Sequence, residues 1–304
     1  MAIGWLYWKH LDNRGVFSSE NIKVLDIGAQ NLFDIPVDDG VAFLRSHGSR
    51  LNDPELLAHV KDMSKRAIWP PQKAGLFLRE FLEGSKLDYT GFDIFPGPKV
   101  EIFDLNYQLL PPEHREAYDI VFNFGTTEHV FNQYNCFKVI HEATKPGGWN
   151  FHQLPCTGWM DHGYWVYSPR VFTDLASANG YEIVEMWCSG PLGRYNLRDR
   201  FNYGQGVLDQ SLPQNMVKSW EKIEMVDGLI NVLLRKKISA PFQLGLDITT
   251  TAGGPDPQVM ETYFTPSSTG DTPERRTSLL RLFTAKEIAR ELLYRIRRKA
   301  GLSR

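Results

Sequence analysis

Apolar and polar positions alternate along the chain in two rhythms. Residues 21–27 (NIKVLDI) form a short, continuously apolar run with β-branched members, stopped by Gly28, the pattern of a strand buried on both faces of a sheet. Residues 31–70 are mixed, with VDDGVAFLRSHG and DPELLAHVKDMSKRA at helical spacing and Trp69-Pro70-Pro71 as a stop. Residues 73–84 (KAGLFLREFLEG) read as a helix ended by glycine. Strands are expected at 88–95, 100–103, 118–124, 149–154, 181–187 and 228–236, with helices at 132–144 and 169–179. The first of these helices is broken by Lys145-Pro146-Gly147-Gly148 and the second is closed by Gly180.

Strands alternating with helices imply βαβ units and right-handed crossovers. The expected fold is α/β: a doubly wound, mostly parallel sheet of seven strands with helices on both faces. An N-terminal extension covers 1–20 and the main domain 21–239, with insertions at 31–72 and 190–226. Residues 240–304 form a Thr/Pro/Gly/Ser-rich linker and a basic helix. Ligands of such sheets sit beyond the carboxyl ends of the strands, so the residues there carry the functional question.

Composition narrows the classes. The chain has 304 residues, 42% apolar and 12% aromatic, enough for a sizeable core. Its net charge of −2 argues against a dedicated nucleic-acid binder. From Arg275 onward ten Lys/Arg face two Glu, so +8 sits in the tail and −10 in the rest. Cys136, Cys156 and Cys188 form no CxxC pair and are odd in number, which suits a reducing compartment and offers neither a disulfide framework nor a zinc site. Lys9, His10 and Asp12 interrupt the apolar start, so no signal peptide is read, and no run approaches the roughly 18 apolar residues of a membrane span. A cytoplasmic location is the expectation.

The strand ends carry acids. Asp26, Gly28, Ala29 and Gln30 follow the first strand, Asp93 and Ile94 the second, Asp104 and Leu105 the third. Gly28 lets the backbone approach a ligand closely, and a carboxylate accepts from the two vicinal hydroxyls of a ribose. The G-x-G-x-x-G fingerprint is not met: one glycine is present, and Asp93 lies 65 residues past it instead of about 20. No phosphate-binding G-x-x-x-x-G-K-[ST] loop occurs either. A ligand with ribose and adenine but little phosphate fits better than NAD or ATP.

In VLDIGAQ (24–30), GFDI (91–94), VEIFDL (100–105), YDIVFNFGTTEHV (118–130) and KPGGWNFH (145–152), taken in this order, the chain resembles the class I S-adenosylmethionine-dependent methyltransferases. The resemblance implies a Rossmann-like fold and S-adenosylmethionine as cofactor. It places Asp26, Gly28, Ala29 and Gln30 on the methionine side, Asp93 with Ile94 at the ribose, Asp104 and Leu105 beside the adenine, and Phe124 with Gly125 in the same pocket. Two features depart from the family pattern. Gln30 stands where a second glycine is usual, and the long first connection suggests a lid or substrate wall at 31–72.

Methyl transfer requires an aligned acceptor and removal of its proton. By the same resemblance the Glu128-His129 pair faces the transferred methyl, and an imidazole titrating near neutrality suits a hydroxyl acceptor. His162 stands in a polar DHG turn where packing does not call for an imidazole, and is the third catalytic candidate. His152, Tyr164 and Trp165 are candidate substrate contacts in a His- and aromatic-rich loop, with a bracing aromatic mini-core as the plainer reading of Trp165 and Tyr167. His129, His152, His162 and Asp161 show no helix-ligand spacing, so no metal is expected.

The expected activity is O-methylation of a small-molecule or sugar/glycan-type acceptor, in carbohydrate or natural-product biosynthesis. The rivals are an NAD-dependent oxidoreductase on a similar layered fold and a non-catalytic scaffold that retains the fold. The final basic helix, with Ile288, Leu292, Leu293 and Ile296 on one side, suits a solvated face, a homo-oligomer contact or weak peripheral binding to acidic lipid.

Overall fold

The computed structural model describes residues 2–49, 51–68, 75–159, 162–190, 193–195 and 227–246. The expected insertion at 190–226 falls largely outside these residues, and the basic helix near the carboxyl end falls wholly outside them.

In chain order the elements are β1 (Ala2–Gly4), α1 (Trp5–Asn13), β2 (Lys23–Ile27), β3 (Asn31–Phe33), α2 (Val37–Ser46), α3 (Asp53–Arg66), α4 (Leu78–Leu82), β4 (Asp88–Asp93) and β5 (Val100–Ile102). β6 (Tyr118–Phe124), α5 (Gln133–Ala143), β7 (Thr144–Thr157), α6 (Pro169–Asn179), β8 (Tyr181–Gly190), β9 (Gly193–Tyr195) and β10 (Gly228–Lys236) follow. The main sheet has the order β5-β4-β2-β6-β7-β10-β8-β9. Its first five strands are mutually parallel, while β10 wedges antiparallel between β7 and β8. The strand order reverses at β2 and β6, so their carboxyl ends flank the switch point where such sheets take ligands.

Local sequence explains the element ends. Asn52 caps α3 by accepting from the Glu55 amide, while the Glu55 carboxylate accepts from the Asn52 amide. Ser168 caps α6 ahead of Pro169, and Gly180 closes it in the left-handed region at φ 64°. Alternation along the strands then sorts side chains to two faces. Val24, Ile120, Phe122, Phe124 and Leu233 turn toward α1–α4 and join Trp8, Phe43, Val60 and Phe81. Leu25, Ile27 and Val121 turn toward α5, and Ile230, Val232 and Leu234 toward α6.

Several elements differ from the expectation. Three-residue β9 adds an eighth strand, and β1 pairs in parallel with β3 as a separate small sheet. α4 is one short turn at Leu78–Leu82, shorter than the stretch 73–84 suggested by spacing. β7 runs through Lys145-Pro146-Gly147-Gly148 and past Leu154, because its pairing with β6 shifts register there and β10 holds its far end. Residues 1–20 and 31–72 contribute core: Trp5, Trp8 and Leu11 of α1 and Phe43, Leu56 and Val60 of α2 and α3 are buried in one cluster. Cys156 and Cys188 are free thiols with their sulfurs 3.2 Å apart, a proximity the cysteine spacing did not announce. Among the described residues no helix is long and apolar enough to cross a membrane.

Candidate active site

The turn after β2 is closed by its own hydrogen bonds. Gly28 takes φ 84°, and a Cβ on it would lie 2.3 Å from Thr126 Oγ1, so only glycine fits both the backbone and the space. The Gly28 amide donates to Phe92 O (2.7 Å), tying β2 to β4, and Thr126 Oγ1 donates to Ile27 O, tying it to the turn after β6. Asp26 is fully buried; its Oδ2 accepts from the Gln30 amide (3.0 Å) and from the Tyr89 hydroxyl (2.8 Å). Burial pushes the Asp26 carboxyl up to about 7.

The second acid works on the same turn. Asp93 Oδ2 accepts from the Ala29 amide (2.8 Å) and Oδ1 from the Phe95 amide (3.0 Å). Thus Asp26 and Asp93, from adjacent strands, converge on one loop, with exposed Ile94 and Phe95 beside them. Asp104 is half-buried and accepts from the Asn106 amide; Asn106 in turn accepts from the amides of Phe131 and Asn132, clamping this loop to the start of α5.

Four expected pocket residues are turned inward instead. The Gln30 side chain folds back over the turn, donating to Gly28 O (2.8 Å) and Thr126 Oγ1 (3.1 Å), and fills the space a second glycine would leave. Leu105 packs with Phe92 and Phe103 in one buried cluster. Phe124 alternates onto the α1–α4 face against Phe122 and Phe151, while Gly125 makes the bend at φ 68° and donates to Gln153 O. His152 is not at the mouth: it is buried between Phe137 and Phe172, bonded to Asn123, and burial lowers it to about 3, leaving it neutral.

The residues fit an S-adenosylmethionine ligand on observations of their own. Asp26 Oδ1 and Gln30 Oε1 are buried acceptor oxygens in one loop with no donor, and a methionine ammonium supplies three. Asp93 keeps lone pairs free for ribose hydroxyls at the loop's outer side, and Ile94 and Phe95 offer apolar cover.

The turn after β6 holds the second half of the site. A 3-10 turn at Thr127–His129 begins one residue past Thr126. The loop after β7 lies over it: the amides of Tyr164 (2.8 Å) and Trp165 (3.3 Å) both donate to Glu128 O, and Trp165 Nε1 donates to Val130 O (3.0 Å). At Gly163 a Cβ would stand 2.9 Å from Glu128 O, so this approach needs glycine. The result carries His162 to His129, with ring centroids 4.9 Å apart. The Nε2 atoms of both histidines lie 3.8 Å from Glu128 Oε1. Glu128 is 1% exposed, its Oε2 has no partner, and burial pushes its carboxyl up to about 7. Burial, reinforced by the neighbouring His162, lowers His129. Phe131, Tyr164 and Trp165 form an exposed aromatic rim beside the trio.

Of the expected catalytic set, Glu128, His129 and His162 are therefore brought together, and their ligating atoms all lie within 4.8 Å of one another. Asp161 lies outside the described residues. Sequence reasoning missed Thr126, which bonds both halves of the site, and Tyr89, whose hydroxyl anchors Asp26. The only signal for either was its position: Thr126 ahead of the E-H pair, and Tyr89 on the strand beside Asp26.

Residues 73–186 match the family model described as a methyltransferase domain. That span opens after the Asp26–Gln30 turn and contains Asp93, Asp104 and the Glu128 trio. No curated protein matches the sequence. Among solved structures, a candidate sarcosine dimethylglycine methyltransferase of Galdieria sulphuraria overlaps with TM-score 0.41 at 13% identity, covering 77% of this chain and 84% of its own. A candidate methyltransferase of Bacillus halodurans gives TM-score 0.41 at 13% identity over 76% and 98%. The O-methyltransferase of a Brevibacillus brevis trans-AT polyketide synthase, solved with S-adenosylhomocysteine, gives 0.36 at 13% over 74% and 71%. The stretch that matches a methyltransferase domain thus runs from the residues before β4 into β8 and carries Asp93, Asp104 and the Glu128 trio.

Proposed function

We propose that the enzyme methylates an oxygen of a small-molecule or sugar-type acceptor held between the Asp26–Gln30 turn and the Glu128, His129 and His162 trio. One observation carries this reading: a buried carboxylate with an unpartnered oxygen and two imidazoles around it, two residues past Thr126, which bonds to the β2 turn. Bound S-adenosylmethionine supplies a methyl carbon on a positive sulfur, already activated for in-line displacement.

The chain's own residues do the rest. Asp26 and Gln30 hold the amino-acid end, and Asp93 holds the ribose. Glu128, His129 and His162 orient the acceptor hydroxyl and favour the loss of its proton. Phe131, Tyr164 and Trp165 cover the apolar side of the acceptor and keep water from the reacting oxygen. The trio is a set of bases and lone pairs, which an alcohol needs; a neutral amine already has its own lone pair and needs it less.

Transfer of labelled methyl from S-adenosylmethionine to a panel of polyols, phenols, amines and thiols tests the reading. Label in alkali-stable, ether-linked products is expected. Label confined to amines or thiols would overturn it.

A further inference from the structure

We propose that Glu128, His129 and His162 form a binding site for a divalent transition-metal ion of the zinc type, which engages the acceptor oxygen. For its catalytic role this rests on the acceptor reading above; the binding itself does not.

The donor set is one carboxylate and two imidazoles, the chemistry of zinc and its first-row neighbours rather than of magnesium or calcium. The ligating atoms lie within 4.8 Å of one another, and both Nε2 atoms are equidistant from Glu128 Oε1 at 3.8 Å. Bonds of about 2.1 Å to a shared ion would put such atoms ~3.0–3.4 Å apart, so a small closure of flexible rings completes the site.

The alternative, a hydrogen-bonded trio, fails on distance. At 3.8 Å no proton bridges Glu128 to either imidazole, and Glu128 Oε2 is buried without a donor. A buried carboxylate left this way is costly unless something positive sits beside it. The frame is also built: the Tyr164 and Trp165 amides pin the backbone of Glu128, and Gly163 permits the contact that sets His162 opposite His129. His152, the other histidine of the region, faces the core and takes no part.

Three protein ligands leave coordination positions open, so an acceptor presenting two neighbouring oxygens fits best. The acceptor hydroxyl, acidified by the ion, gives its proton to water. Its oxygen pair forms the new O–C bond while the C–S bond breaks, and the sulfur keeps that pair as a neutral thioether.

The test uses the full chain, stripped with chelator and dialysed. Calorimetry with Zn2+ and Mn2+, and the visible spectrum with Co2+, should show one equivalent bound. Glu128→Gln and His162→Ala should weaken binding at least about 10-fold while each variant keeps its thermal shift with S-adenosylhomocysteine. Absence of stoichiometric binding by a chain that still shows that shift overturns the site, as does binding indifferent to both substitutions. If binding fails but ether products still form in chelator, the acceptor reading survives alone. If the ion binds and no hydroxyl is methylated, the site stands and the acceptor reading falls.

Discussion

The two halves of the site are built on opposite principles. Around the β2 turn each polar side chain is tied down by hydrogen bonds, Asp26 by Gln30 and Tyr89, Asp93 by Ala29 and Phe95, and Gln30 by Gly28 and Thr126, with Asp26 Oδ1 and Gln30 Oε1 left open. Around Glu128 the side chains gather without bonding, each imidazole 3.8 Å from the carboxylate. A cofactor of fixed shape rewards a preorganised cradle, whereas the reacting end must keep lone pairs unspent until an acceptor arrives.

Breaking the cradle should have the largest effect. Gly28→Ala forces a methyl 2.3 Å from Thr126 Oγ1 at a strained φ, and should weaken S-adenosylhomocysteine binding about 100-fold by calorimetry, ~3 kcal/mol. Disarming the other half should do the reverse: Glu128→Gln should cut turnover about 100-fold and leave that affinity within about twofold. A loss of affinity there would erase the contrast. Asp93→Ala removes the Ala29 tether together with the proposed ribose acceptor, and should cost about tenfold in affinity, with kcat much less affected.

Asp26 sharpens the comparison through pH. Its carboxyl holds its proton to about 7 when folded, against 3.8 in the open chain, so native structure is favoured in acid and that advantage is lost progressively as pH rises from 3.8 to about 7. Asp26→Asn, always neutral, should raise the melting temperature by about 3 °C near pH 8.5 and by only about 1 °C near pH 5. An equal shift at both values would show that Asp26 is not protonated in the fold.

Much of the architecture was legible because it is local. Strands such as 118–124 and 228–236 announce themselves by continuous apolar residues, and Gly180 marks its helix end. The acids at the tips of β2 and β4 followed once the strands were placed. Other features depend on which face a side chain takes. His152 and His162 look alike in sequence, yet the pleat of β7 sends one into the core and a glycine-led loop brings the other to Glu128. Gln30 could be counted as a missing glycine but not seen as the plug it is. α1 was hidden because Lys9, His10 and Asp12 interrupt its apolar stripe; inside the fold His10 is paired with Glu185 and Asp12 with His47.

One pairing reaches further than its size. Ala2–Gly4 lies in register with Asn31–Phe33, the residues directly after the cofactor turn. Residues 2–4 are thereby stitched to the segment that follows Gln30, so substitutions that weaken this small sheet will be felt as altered ligand retention.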